Sequence, residues 1–204
     1  MLNLTTVAKG FSVIPRQCRL FLILSSTCFF LLTTIFLVKI RLQITGYHKS
    51  MIRDQKADEG YMRMALEQAG EGGRKGEVPV GAILVKGDRV IAKDHNRCIE
   101  LCDPTAHAEV LVLRKGGKEL GNYRLNDTTM YVTSEPCPMC VSALMHGRIS
   151  RLVFGAHEPK FGAIESRFRL LDGNGFNHKV RVEHGVLEKE CAEILKLFFK
   201  EKRI

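Results

Sequence analysis

From residue 58 onwards, the apolar residues of this chain recur with periods that alternate between helix and strand. A first helix is predicted to end in the glycine-rich stretch 70–76, and its apolar face consists of Met62, Ala65, Leu66 and Ala69. The last predicted element of the chain is a second amphipathic helix. Its apolar face consists of Leu187, Cys191, Ile194, Leu195 and Phe198.

Between these two helices the pattern predicts five short strands and two more helices. Two strands, at residues 80–86 and 89–93, are joined by the hairpin signal Gly87-Asp88. The other predicted strands are 129–133, 152–154 and 180–182, and the helices are 105–113 and 136–145. We therefore expect an α/β fold, a three-layer α/β/α sandwich around a five-stranded mixed sheet. The first two strands should pair antiparallel, and the later ones, following crossover helices, should run parallel.

The first fifty residues differ from the rest of the chain. From Leu20 to Val38 there are nineteen residues without a charge, flanked by Arg19 and Lys39. This length is close to the ~20 apolar residues that span a bilayer, so the segment is a candidate membrane anchor. Alternatively, Met51 is the true start and residues 1–50 are upstream sequence. We divide the chain into a hydrophobic extension, residues 1–50, and one globular domain, residues 51–204.

The net charge does not identify a binding partner of the protein, whereas the cysteine content bears on the cellular compartment in which it works. The net charge is +9, yet residues 1–50 hold six basic residues and no acid, which leaves 25 basic and 22 acidic residues. Such a small excess is compatible with a polyanionic partner without requiring one. The seven cysteines lack framework spacing, which argues against a disulfide scaffold. We expect a cytoplasmic protein or, if the anchor is present, a catalytic domain in the cytoplasm.

The most informative feature is His107-Ala108-Glu109, followed further on by Pro136-Cys137-Pro138-Met139-Cys140. One imidazole and two thiolates suit a tetrahedral zinc ion whose fourth position stays open, as in catalytic sites. A closed structural site would need a fourth ligand from His95, His146 or His157, and none of these stands at ligand spacing from another ligand. The combination of H-x-E with P-C-x-x-C is the general signature of the zinc deaminases.

Both motifs are predicted to lie at helix starts, where the backbone favours negative charge. Pro138 suits the first helical position, which places Cys137 and Cys140 one turn apart near the helix N-terminus. Glu109 does not share a helix face with His107, because residues two apart point in different directions. We therefore expect Glu109 to reach a zinc-activated water and to carry its proton.

Over about residues 58–203 the chain resembles the bacterial tRNA-specific adenosine deaminases. Besides the two zinc motifs, the resemblance rests on flanking strings that include Gly76-Glu77-Val78-Pro79-Val80-Gly81-Ala82, His95-Asn96-Arg97, Gly121-Asn122-Tyr123-Arg124-Leu125 and Phe198-Phe199-Lys200. Ser134 and Gly147 depart from the usual pattern. These changes leave the metal chemistry alone and bear on the fit of the substrate.

The resemblance implies both a reaction and a cofactor. The reaction is the hydrolytic deamination of adenosine to inosine at the wobble position of a tRNA anticodon. One Zn²⁺ per subunit would lie on His107, Cys137 and Cys140, with zinc-bound hydroxide as the nucleophile. Glu109 would be the general acid and base. Residues 51–204 would then form a zinc-dependent deaminase domain.

The resemblance also implies how the substrate is held. Asn96 and Val80 would lie near the target base, and Glu158 would flank the pocket. Three residues of the last helix would contact the anticodon stem-loop, namely Phe199, Lys200 and Arg203. Phe198 belongs to the apolar face, so Phe199 is the better candidate for stacking on a base. A homodimer is expected as well.

Two other functions share the zinc motifs. A deaminase of a free nucleobase or nucleotide, of the guanine or deoxycytidylate type, would use the same ligands. A non-catalytic, zinc-stabilised RNA-binding subunit is the second alternative, although such a subunit would be expected to lack Glu109.

Overall fold

The computed structural model describes residues 55–173 and 175–202. The extension of residues 1–50, with its candidate anchor from Leu20 to Val38, and the candidate contact residue Arg203 lie outside the described residues. Within these two ranges, no helix combines the length and the apolar character needed to cross a bilayer.

A five-stranded mixed sheet with the order β2-β1-β3-β4-β5 forms the centre of the domain. Its strands are β1 (Gly81–Lys86), β2 (Arg89–His95), β3 (Thr128–Ser134), β4 (Arg151–Ala156) and β5 (Arg181–His184). β1 pairs antiparallel with β2 and with β3, whereas β3, β4 and β5 run parallel. The predicted mixed sheet and its antiparallel first pair are therefore confirmed.

Helices cover both faces of the sheet, which confirms the three-layer sandwich. They are α1 (residues 55–74), α2 (Ala108–Leu120), α3 (Pro138–His146) and α4 (Glu188–Glu201). Alternate strand residues point to opposite faces. Leu84 and Met130 pack in the core cluster shared with α2 and α3, while Ile83 and Val153 pack in the cluster shared with α1 and α4.

The first helix is longer than predicted, because α1 continues through the glycines to residue 74 instead of ending there. Glycine is a poor helix former, so its presence here reflects packing. A Cβ on Gly72 would lie 3.1 Å from Cβ of His95, and one on Gly81 would lie 2.1 Å from the carbonyl oxygen of Ala65. The missing side chains allow α1 and the sheet to approach closely.

Two connections also differ from the prediction. The helix expected from residue 105 begins at Ala108, so residues 96–107 form a longer irregular connection after β2. No helix or strand occurs among the described residues between β4 and β5, where a crossover helix was expected. Both irregular connections begin at the edge of the sheet at which β3 and β4 end.

A partly buried group of ion pairs joins the first helix to the sheet. The guanidinium group of Arg151 donates two hydrogen bonds to the carboxylate of Asp58 in α1, at 2.8 and 2.6 Å. It also donates to Glu183 in β5, through Nε at 3.0 Å. The hydroxyl of Tyr131 donates to Asp58 at 2.7 Å. This group thus connects α1, β3, β4 and β5.

Candidate active site

The two motifs lie side by side at the starts of α2 and α3. His107 and Cys137 are the N-cap residues of these helices, and both have extended backbone, with φ and ψ of −71° and 150° and of −74° and 170°. Pro138 takes the first helical position, as predicted, and Cys140 follows in the first turn. The structure therefore brings the imidazole and the two thiols together at two helix N-termini.

The distances within this His-Cys-Cys group fit a tetrahedral metal ion. Nδ1 of His107 lies 3.7 Å from Sγ of Cys137 and 3.5 Å from Sγ of Cys140. With a Zn–S bond of about 2.3 Å and a Zn–N bond of about 2.0–2.1 Å, tetrahedral geometry separates nitrogen and sulfur ligands by about 3.6 Å. One ligand atom from each residue lies within 4.8 Å of the others. These three residues could hold a metal ion.

The protonation of the two thiols is unequal. Hydrogen bonds from Cys140 and His107 lower the pKa of Cys137 to about 4, although burial opposes the shift. Cys140 donates to Cys137 and is itself buried, so its own pKa is raised. The hydrogen bond to Cys137 raises the pKa of His107. The lowered pKa favours the thiolate form of Cys137, and a thiolate suits the binding of a soft or borderline cation.

Glu109 lies beside this group in the first turn of α2 and is only 3% exposed. Burial raises the pKa of its carboxyl group and outweighs the attraction of His107. Its Oε2 has no hydrogen-bond partner among the described residues. A buried carboxylate oxygen without a partner is unfavourable and calls for a water or ligand atom. The donor set and this free oxygen together fit a metal ion with a water beside it.

Asn96 holds the start of α2 from outside the helix. Its Oδ1 accepts a hydrogen bond from the N–H of Ala108 at 2.8 Å, and Ala108 directly follows His107. The backbone N–H of Asn96 donates to the carbonyl oxygen of Val80 at 3.0 Å. The structure thus places Asn96 and Val80 next to each other at the border of the His107 motif.

Glu158, Phe199 and Lys200 lie on other elements. Glu158 is half-buried in the connection after β4, where its Oε1 accepts a hydrogen bond from the N–H of Lys160 at 2.9 Å. Phe199 and Lys200 are exposed near the end of α4, and Phe199 keeps 44% of its surface accessible.

The histidines named as alternative fourth ligands lie elsewhere. His95 is buried, with Nδ1 2.7 Å from the carbonyl oxygen of Asn96, and His146 is exposed at the end of α3. His157 approaches Glu165 and Glu188. In the described part of the chain, none of the three joins the His107 group.

Sequence reasoning missed two buried glutamates that hold the connections bordering the site. Oε1 of Glu77 accepts hydrogen bonds from the N–H groups of Ile99 and Glu100, at 2.9 and 2.8 Å. Glu135, two residues before Cys137, does the same for the connection after β4. No periodicity distinguishes these residues from surface acids. Glu77 occurs in one of the strings that carry the family resemblance, and Glu135 directly precedes the Pro136 to Cys140 motif.

The fold and the site together define the deaminase class, with its H-x-E and P-C-x-x-C motifs. The profile of the MafB19-like deaminase family matches residues 56–203. The tRNA-specific adenosine deaminase of Haemophilus influenzae is 50% identical over 147 residues, which cover 72% of this chain and 85% of that protein. The one of Bacillus subtilis is 45% identical over 146 residues, which cover 72% and 91%.

Solved structures agree with this assignment. A chain from a study of A-to-I editing by tRNA:A34 deaminases at the wobble position of transfer RNA superposes with a TM-score of 0.65 and 46% identity, covering 67% of this chain and 99% of that one. The guanine deaminase from Nitrosomonas europaea shares the fold at 20% identity and a TM-score of 0.59, covering 69% and 83%. This chain belongs to the family of the tRNA-specific adenosine deaminases.

Proposed function

We propose that this enzyme hydrolyses the wobble adenosine of a tRNA anticodon to inosine and releases ammonia. One observation carries the proposal: a buried glutamate with a free carboxylate oxygen stands beside a His-Cys-Cys group, in a chain 50% identical to a tRNA-specific adenosine deaminase. The reaction adds the oxygen of water to the amino-bearing ring carbon and removes the amino group.

His107, Cys137 and Cys140 would hold one Zn²⁺. When bound, zinc lowers the pKa of a coordinated water from 15.7 to about 7 and so makes it a nucleophile near neutral pH. The N-terminus of α3 favours negative charge beside it, and the hydrogen bonds to Cys137 lower the pKa of this thiol further. Cys140, whose pKa is raised, would become a thiolate when the metal binds.

Glu109 moves the protons. Its buried carboxylate accepts the first proton of the attacking water and gives it to the neighbouring ring nitrogen. It then accepts the second proton, from the hydroxyl now on the attacked carbon, and gives it to the departing amino group. Because burial raises the pKa of Glu109, the carboxyl group can hold the proton between these steps. Its orphaned Oε2 is the atom that we assign to the water.

The substrate would be held from two sides. Asn96 uses Oδ1 on the N–H of Ala108, so its amide nitrogen remains to donate to the nucleotide, with Val80 beside the base. Exposed Phe199 would stack on an anticodon base, and Lys200 and Arg203 would contact phosphates. Glu158 would flank the pocket.

A second copy of the chain would complete the assembly as a homodimer. The groove between α2 and α3 is largely apolar and is lined in part by Val110, Leu113 and Ala143, with Tyr123 exposed at its rim. Sedimentation analysis should show a dimer, and Leu113→Glu should shift it to monomer. A wild-type protein that stays monomeric at micromolar concentration would contradict this assembly.

The location of the enzyme follows from its substrate and thiols. We propose that residues 51–204 form the deaminase domain and act in the cytoplasm, where tRNA is available and the described cysteines stay free. If residues 1–50 are expressed, the segment from Leu20 to Val38 would attach this domain to a membrane. Cell fractionation combined with mass spectrometry of the native N-terminus tests both statements.

In the decisive experiment, the full-length protein is incubated with an anticodon stem-loop that carries adenosine at the wobble position. Inosine is then measured by nuclease digestion and mass spectrometry. A matched stem-loop carries its adenosine one position further along. Inosine should form only in the first RNA. Ammonia release from free guanine or deoxycytidylate, without inosine in the RNA, would instead support the free-base or nucleotide deaminase.

A further inference from the structure

A second group of metal-ligating side chains lies at the ends of β4 and β5, outside the His107 site. It consists of His157, Glu165 and His184, and one ligand atom from each lies within 4.8 Å of the others. His184 is the last residue of β5 and pairs with Phe154 of β4. Phe154 lies three residues before His157, so the two histidines come close together at the ends of their strands.

The distances within this group are those of a metal site. Oε2 of Glu165 lies 3.3 Å from Nε2 of His157 and 3.4 Å from Nε2 of His184. Charge-assisted hydrogen bonds between nitrogen and a carboxylate are shorter, at about 2.7–2.9 Å. Tetrahedral zinc with bonds of about 2.0–2.2 Å to nitrogen and oxygen separates such ligands by about 3.4 Å. The contacts in this group are thus longer than most charge-assisted hydrogen bonds, and they match the separation expected of ligands around one cation.

Both imidazoles are held in place by their surroundings. The ring of His184 stacks on buried Phe154 at 5.6 Å, and the ring of His157 meets Phe154 edge-on at 5.3 Å. Nδ1 of His157 lies 3.4 Å from Oε1 of Glu188, the first residue of α4. A carboxylate on the far nitrogen of a histidine is the usual support of a metal-binding imidazole, because it fixes the tautomer that leaves Nε2 as the ligand.

The third ligand is anchored as well. The backbone N–H of Glu165 donates to Oε1 of buried Glu135 at 2.7 Å, which holds the ligand-bearing segment against the end of β3. A cavity of about 610 Å³ opens beside the group and is lined by His157 and Glu165. This cavity leaves room for water ligands and for entry of the ion. Ligands also collect at this edge in other α/β folds, at the carboxyl ends of parallel strands.

We propose that His157, Glu165 and His184 bind a second divalent cation of the zinc class, with His157 oriented by Glu188. Two imidazoles and one carboxylate suit Zn²⁺, Co²⁺ or Ni²⁺ better than Mg²⁺ or Ca²⁺. All three ligands are partly exposed and none is a thiolate, so this ion should dissociate before one bound at the His107 group. The bound ion would link Glu165, in the connection after β4, to the two histidines at the ends of β4 and β5.

Cobalt titration of the full-length protein separates the two sites. An ion on Cys137 and Cys140 shows sulfur-to-metal charge transfer, whereas an ion on two imidazoles and a carboxylate adds only weak visible absorption. Wild-type protein should bind two equivalents, with charge transfer complete after the first. His184→Ala should retain the first equivalent and its charge transfer and lose the second.

Two further variants sharpen this test. Glu188→Gln should weaken the second equivalent by about 10- to 100-fold, as expected for loss of a supporting carboxylate. His146→Ala, a change at an exposed histidine outside the group, should still bind two equivalents. Saturation of wild-type protein at one equivalent, or persistence of the second equivalent in His184→Ala, would overturn the proposal. Because charge transfer reports the His107 group separately, these results do not depend on the proposed deaminase activity.

Discussion

Glu135 is the residue whose replacement should most clearly show how the active-site border is held together. It is 3% exposed, and its Oε1 accepts hydrogen bonds from the N–H groups of Ile164, Glu165 and Ser166 at 2.9, 2.7 and 3.0 Å. Its Oε2 accepts from the N–H of Glu158 at 3.1 Å and from the hydroxyl of Ser166. One carboxylate thus accepts the backbone hydrogen bonds of a connection that contains no helix or strand.

Glu135→Gln keeps the size of the side chain but removes the charge and one acceptor. The amide can serve the three N–H groups at Oε1, and its NH₂ group can donate to the Ser166 hydroxyl, but the N–H of Glu158 loses its acceptor. A buried donor left without a partner costs about 1–3 kcal/mol, and hydrogen bonds to a neutral acceptor are weaker than those to a charged one. We expect the free energy of unfolding to fall by about 2–4 kcal/mol at pH 7.

The same variant should change the response to acid. Burial by itself would raise the pKa of Glu135, but the hydrogen bonds from Ser166, Glu165 and Glu158 outweigh it, so the pKa is lowered. A carboxyl group with a lowered folded-state pKa contributes stability above its unfolded pKa of about 4.3 and loses it as the pH falls towards the folded value. Wild type should therefore lose this contribution as the pH falls below about 4.3, and Glu135→Gln should not.

Urea unfolding at pH 7, 5 and 4, with hydrogen exchange of the amides of residues 164–166, measures both effects. Glu119→Gln is the matched control, because Glu119 forms only an exposed ion pair with Arg89. Such pairs contribute about 0–1 kcal/mol. If Glu135→Gln keeps wild-type stability at pH 7 and its 164–166 amides stay protected, the carboxylate does not hold this connection.

Three further substitutions test the remaining assignments. Glu109→Gln should keep fold and metal content but lower the deamination rate by about 10²–10⁴-fold, and a rate within tenfold of wild type would remove Glu109 from its role. Arg151→Ala should lower the free energy of unfolding by about 3–5 kcal/mol in urea, because Asp58 is left buried without its cation; a loss under about 1 kcal/mol would contradict the ion pair. Phe199→Ala should weaken stem-loop binding by about 1–3 kcal/mol, whereas Leu197→Ala, at a similarly exposed position of α4, should not. Equal losses in both variants would indicate a general effect on the helix.

The elements that the sequence predicts correctly are those with a short-range signal. The strands β1 and β3 and the hairpin at Gly87-Asp88 follow from short apolar runs and from turn chemistry, and the structure confirms them. The His107 motif and the cysteine pair could be assigned to helix starts because Pro138 marks one of them directly. These signals lie within a few residues of the positions that they specify.

The parts that escaped prediction depend on contacts between distant segments. The continuation of α1 through Gly72 requires knowing that His95 packs against it. The group of His157, Glu165 and His184 is assembled from a strand end, an irregular connection and a second strand end. No spacing along the chain brings such residues together, so only the fold can reveal them.

Three polar side chains explain why irregular connections can still position the reacting groups. Every buried N–H group of a segment without regular structure needs an acceptor from elsewhere. Glu77 supplies one for the connection between β2 and α2, Asn96 for the first residue of α2, and Glu135 for the connection after β4. His107 and Cys137 themselves make no side-chain caps on their helices, so their side chains remain available to a metal ion. The segments that border His107 and Cys137 are therefore held by side chains outside the His-Cys-Cys group, and a substitution at Glu77 or Glu135 should act on the site through the segments that they hold.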